Sequence, residues 1–199
     1  IPELNYSHYS HYSHYSHYSH YSICVIFGVM KNLTFLFAFL VLPFSILAQG
    51  NIMLMPFEPL MNAEWKAEGK WKDGKPFKQE VSFSWSADQE SVTTVTHSYL
   101  DTTFSSFGKF SDGIITWDTI TNSIKFEVND IYGNVIDGSV RTKVKTIMYE
   151  YAIENELGMK TYMTDALIWI KPDKYMFKVG TMKDDEWEEV YLETYFFKK

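Results

Sequence analysis

From Trp65 onward the chain is written in short stretches that alternate apolar and polar residues and stop at turn-forming ones. This period of two constrains the fold more than any other feature, because it suits strands with one face buried and one in water. Trp65 to Trp71 reads as a first strand, and "KDGK" (Lys72–Lys75) supplies an Asp-Gly hairpin turn. "FKQEVSFSWS" follows, with Val81, Phe83 and Trp85 on one face and Glu80, Ser82 and Ser84 on the other. "ADQE" then turns the chain into "SVTTVTHSYL", rich in β-branched residues. "SDG", "DTITNS" and "YGNVIDG" separate strands at Ile114–Trp117, Ile124–Val128 and Ser139–Tyr151. In the last of these, Val140, Val144 and Met148 share one parity with Thr142 and Thr146. Arg141, Lys143 and Lys145 occupy the other, which must meet water. "ENELG" precedes Thr161–Ile170, "KPDK" precedes Tyr175–Thr181, and an acidic turn precedes Glu188–Phe197.

The pattern gives an all-β domain of about 8–10 strands at hairpin spacing. Connections this short favour an up-and-down antiparallel β-barrel, whose closure removes exposed edges, over a sandwich. One short helical turn is expected before the first strand, within Met55–Trp65. No linker or internal repeat divides residues 49–199, which read as a single domain.

The N-terminal part reads differently. Residues 1–29 carry a Tyr-Ser-His repeat in which His8, His11, His14, His17 and His20 recur every third residue. Such a tract could capture a borderline-soft metal. A second pattern argues against that role: "MKNLTFLFAFLVLPFSILAQG" has Lys31 as a positive n-region, Leu33–Leu42 as an apolar h-region and a small residue at Ala48. The expectation is a signal peptide over 30–48, translation starting at Met30, and residues 1–29 as a non-native upstream extension. Lys31, Asn32 and Pro43 interrupt the run and disfavour a membrane span. Cys24 precedes Met30 and lies in no lipobox. The mature chain is then expected to be secreted or periplasmic, cleaved near Ala48.

That mature chain has no cysteine, so an ordinary core must hold it, and thiol chemistry and Cys-ligated zinc are excluded. The whole sequence carries a formal charge of −7 and one arginine, Arg141, which argues against nucleic acid as a partner. "DDEWEE" (Asp184–Glu189) lacks the ligand spacing and central Gly of a calcium loop and reads as a solvated hairpin turn.

"FEPLMNAEWKAEG" (Phe57–Gly69) leads a Leu in a short helix into a Trp at the start of the first strand. It resembles the entrance of calycin-like barrels, the lipocalin-like and nitrobindin-like domains and uncharacterised bacterial relatives. A common form there is G-x-W-x-G-E-G; Trp65, Glu68 and Gly69 match it, and alanines replace both earlier glycines. The resemblance covers about a dozen residues. It implies a hollow barrel for an apolar ligand, with Trp65 and Gly69 as a structural plug of the closed end. For nitrobindin-like members it would imply haem held by a late histidine. The chain has no histidine after His97, so no cofactor is expected.

The candidate ligand-lining residues are Phe83, Trp85, His97, Tyr99, Trp117, Phe126, Trp169 and Phe177. Aromatics at a barrel mouth suit flat apolar ligands, although any β core of this size uses the same residues. His97, on the parity of Val95 and Tyr99, could serve as an axial ligand or a base, but it has no second His or Cys to work with. No nucleophile elbow, phosphate loop or metal-spaced cluster appears, so no catalytic residue is expected. A small outer-membrane barrel would need an apolar outer band, and Arg141, Lys143 and Lys145 disfavour stable membrane insertion. The expected function is binding of a small hydrophobic ligand without catalysis. A cavity enzyme using His97 and carboxylates, or a filled barrel acting as an interaction module, are the alternatives.

Overall fold

The computed structural model describes residues 51–155 and 157–199. The expected signal peptide, the histidine tract and Cys24 lie outside the described residues. A 3-10 helix, Ile52–Leu60, leads into ten strands: β1 (Glu64–Lys70), β2 (Pro76–Trp85), β3 (Ser91–Tyr99), β4 (Phe107–Asp118), β5 (Ser123–Asp130), β6 (Val135–Lys143), β7 (Thr146–Glu154), β8 (Lys160–Lys171), β9 (Lys174–Lys183) and β10 (Glu186–Lys198). Each strand pairs antiparallel with its neighbour in sequence, and β1 pairs with β10 to close the barrel. The closing register sets Trp65 opposite Lys198 and Lys66 opposite Phe197. The expectation of an up-and-down barrel with a short leading helix is met at the upper end of the strand count.

The tenth strand comes from a hairpin that the alternation hides. Ser139–Tyr151 is not one strand: Val144 and Lys145 form a two-residue turn between β6 and β7. Lys143 faces Thr146 across it, so the inward parity switches from even in β6 to odd in β7. Val140 therefore points inward, Val144 is fully exposed, and Met148 pairs with outward-facing Arg141. With no Gly or Asn at the turn, the even-numbered apolar series runs through it unmarked.

"SDG" is likewise not a break but the middle of β4. An added Cβ on Gly113 would collide with Thr94 Oγ1 and lie 3.3 Å from the Glu127 carbonyl. Gly138 in β6 meets the same limit, with Phe126 Cε1 2.8 Å from where its Cβ would stand. These glycines mark close approach across the sheet rather than turns. The acidic turn is as expected: Asp184 and Asp185 both have positive φ, at 51° and 65°, and connect β9 to β10.

The leading helix closes one end of the barrel. Pro56 and Pro59 remove backbone donors, and Asn51 caps it by accepting from the Met53 amide at 3.1 Å. Leu54, Phe57 and Leu60 recur every third residue, which a helix of three residues per turn places on one face, and all are fully buried. Burying each contributes roughly 1.5–3 kcal/mol. Trp65 follows beneath them. Its Nε1 donates to the Leu60 carbonyl at 3.0 Å, and its ring packs on Trp169 and Tyr175 at centroid distances of 5.6 and 5.0 Å. Tyr175 stacks in turn on Phe196 at 4.9 Å. The indole plugs this end.

Candidate functional site

Beyond that plug the barrel is hollow. A chamber of ≈ 300 Å³ is lined by residues from β2, β3, β4, β5, β6, β7, β8, β9 and β10, among them Val81, Phe83, Thr96, Phe126 and Leu167. A second space of ≈ 510 Å³ opens at the other end, where Trp71, Lys75, Asp101, Phe104 and Tyr132 stand on the strand-connecting turns. The two share Gln79, Phe110, Tyr151, Asp165 and Phe177, so those five residues form the neck between a deep chamber and a mouth. The volumes are in the range of small-molecule sites.

The mouth is held by the β3–β4 loop. Asp101 accepts from the backbone amides of Thr103, Ser105 and Ser106 and from the hydroxyls of Thr103 and Ser105. These donors hold its carboxyl well below the usual carboxylate range. Tyr132, from the β5–β6 turn, donates its hydroxyl to the Leu100 carbonyl and ties two rim segments together.

At the neck lies a single charge-bearing group. Asp165 sits in β8 on the parity of Met163, Leu167 and Trp169, which faces the lumen. Tyr151, on the adjacent β7, donates its hydroxyl to Asp165 Oδ1 at 3.0 Å. Asp165 makes no ion pair among the described residues; Lys75 at the mouth is held by Asp73 at 2.7 Å. Enclosure in the barrel destabilises the carboxylate and pushes its pKa up to about 7, with the Tyr151 hydrogen bond opposing part of that rise. Burial also raises the phenols of Tyr149, Tyr151 and Tyr175, with the Asp165 charge a further cause for the first two. All three stay neutral donors. Asp165 keeps some accessible surface, and that surface opens into the cavity it lines.

The residues singled out in the sequence fall into three groups. Phe83, Phe126 and Phe177 line the deep chamber, and Tyr99 stands on the mouth rim against Phe104 and Phe107. Trp85, Trp117 and Trp169 lie toward the plugged end. There Trp85 Nε1 donates to Glu58 at 3.2 Å, and Trp169 packs on Trp65. His97 is opposite outward-facing Glu80 and lines a surface groove with Glu64, Ser82 and Ser84, outside the lumen. Gly69 lies away from the plug, opposite Phe77, where an added Cβ would come within 3.1 Å of Thr194 Oγ1. The neck residues Gln79, Tyr151 and Asp165 escaped the sequence reading. A signal existed for one of them: Asp165 is a carboxylate set between Met163 and Leu167 on one strand parity.

A wider concavity of ≈ 1080 Å³ lies on the outer wall of β5–β8. Part of its charge is paired internally: Arg141 binds Glu150 at 2.7 Å and Asp185 at 2.5 Å, and Lys143 binds Asp185 at 3.2 Å. The neck carboxylate has no such partner. Among the described residues no group of three or more His, Cys, Asp or Glu side chains could hold a metal ion.

The chain is similar to a solved structure, the crystal structure of Rv2717c from M. tuberculosis, with 10% sequence identity and a TM-score of 0.47. The match covers 76% of this chain and 99% of that one. No family model and no curated protein matches it.

Proposed function

We propose that this protein is a calycin-like barrel, exported by the Met30–Ala48 signal, that binds a small hydrophobic molecule in its lumen. The observation that carries the reading is the joined chamber and mouth, ≈ 300 and ≈ 510 Å³, whose deep walls are mainly aromatic and aliphatic. Protein interiors are normally filled to crystal-like density, and an unfilled lumen of this size is what a binding site for a small molecule requires. The Trp65 plug and its leading helix fit the same reading, since they leave the mouth as the way in.

The test uses N-phenyl-1-naphthylamine, an apolar fluorophore that brightens in dry sites. The protein is expected to bind it saturably, and Thr96→Trp, which places an indole in the deep chamber, is expected to abolish binding while leaving the melting transition cooperative. Binding that survives the blocked chamber would move the site elsewhere and sink the proposal.

A further inference from the structure

The neck of the lumen says which class of hydrophobic molecule fits. Asp165 is the single charged residue on the wall of the deep chamber, where every other lining residue is apolar, aromatic or neutral polar. One oxygen accepts from Tyr151; the other has no hydrogen-bond partner among the described residues. Gln79 lines both chamber and mouth, and its side-chain amide likewise bonds to no described residue. An enclosed carboxylate without a cation is costly, and a protein that keeps one either protonates it or leaves a place for a partner to supply the charge.

From these observations we infer that the lumen selects hydrophobic amines: molecules with an apolar body for the deep chamber and one protonated nitrogen that pairs with Asp165 at the neck. The inference rests on the reading of the lumen as a binding site.

Three physical arguments favour an amine over its competitors. A hard metal cation needs several oxygen ligands, and one carboxylate among aromatic rings does not provide them. Phe110, Phe126, Tyr151 and Phe177 line the same space, and aromatic faces attract organic cations. A fatty acid would set a second carboxylate beside Asp165 with no Lys or Arg on the deep wall to offset either charge.

The charge states give the pH dependence its sign. The titratable groups facing Asp165 are Tyr149 and Tyr151 from β7, with Tyr175 of β9 farther along the same chamber, all neutral through this range. β2 contributes neutral Gln79 and β10 contributes Phe196, while Asp101 and Lys75 stand at the mouth. Amine binding needs Asp165 ionised and the ligand protonated. Affinity therefore rises as pH increases through the Asp165 titration and falls again once the free amine loses its proton.

The experiment is calorimetric titration of the whole protein with octylamine, octanol and octanoic acid between pH 5 and 9, repeated on Asp165→Asn. At pH 8 octylamine is expected to bind about tenfold or more tighter than octanol, a charge-assisted pair being worth that much in a desolvated site. Octanoate is expected to bind weakest. The amine advantage over octanol is expected to shrink at pH 5 and to vanish in Asp165→Asn. Equal binding of amine and alcohol by the parent protein, or an amine advantage that persists in Asp165→Asn, would overturn the inference and leave the lumen reading standing. Failure of all three ligands to bind would overturn both.

Discussion

The hydroxyl of Tyr151 donates to the carboxylate of Asp165 across the β7–β8 pair at 3.0 Å, at the narrow part of the lumen. This bond stabilises the charged form of Asp165 against the enclosure that disfavours it. Removing it in Tyr151→Phe is expected to move the Asp165 titration upward from about 7. Carboxyl-carbon NMR of the labelled protein reads the change directly. An unmoved or lowered midpoint would show that the tyrosine does not hold the charge.

Asp165 also links stability to pH. Its folded pKa, about 7, lies above the ordinary carboxylate value of the unfolded chain. Between those values the folded state binds the extra proton, so this group's contribution is full below about pH 4 and is lost as pH rises toward 7. Asp165→Asn is expected to remove that decline. It should be the more stable protein at pH 8, by on the order of 2–4 kcal/mol, and nearly equal to the parent at pH 4.5. Urea unfolding at the two values measures the difference; a parent whose midpoint does not fall between them contradicts the assignment.

Trp65 spans two interactions that a smaller ring cannot replace. Trp65→Phe leaves the Leu60 carbonyl without its buried donor and opens space against Trp169 and Tyr175. The expected loss is about 2–4 kcal/mol, combining an unpaired acceptor with a partial cavity. Thermal melting checks it, and a loss below about 0.5 kcal/mol, the range of ordinary surface changes, would mean that the indole is not the plug.

Gly138 allows β6 to lie against its neighbours. In Gly138→Ala the new methyl meets the Glu150 carbonyl and Phe126, one of them backbone that cannot move aside. Destabilisation of about 2 kcal/mol or more is expected, as for an overpacked core. Gly74→Ala makes the comparison: its positive φ is strained, yet nothing lies within 4 Å of its added Cβ. A larger loss at Gly74 than at Gly138 would show that contact at Gly138 is not what limits the position.

His97 should be silent for the lumen. It lines the outer groove beside Glu80 and Ser82. His97→Ala is expected to leave probe binding unchanged and stability within about 0.5 kcal/mol, as for surface substitutions. Loss of lumen binding in this variant, measured with the same fluorophore, would mean that the outer groove and the lumen are coupled.

Much of the barrel was legible along the chain because strands and their turns are local facts. Asp73-Gly74 forms the β1–β2 turn, and Val81 and Phe83 face inward as the alternation requires. Legibility failed where local signals carry two meanings. Gly113 looks like a turn residue and serves a close crossing; the Val144-Lys145 turn carries no turn residue and reverses the inward parity. The candidate aromatics divided for a similar reason. Phe126 and Trp117 both alternate correctly, yet one lines the chamber and the other lies toward the plug, because depth along the barrel axis leaves no mark in a period of two.

The sequence by itself determined an all-β domain, the place of most of its strands along the chain, and a tryptophan-bearing entry into the first of them. Each depends on neighbours within a few residues, through the two-residue side-chain period and the φ preferences of turn residues. Only the tertiary structure decided that the barrel closes through Trp65 and Lys198, that a lumen remains, and that Gln79, Tyr151 and Asp165 meet at its neck. Those outcomes depend on the registers of ten successive strand pairs. A one-residue shift in any of them turns an inward side chain outward, and no local stretch of sequence encodes their sum.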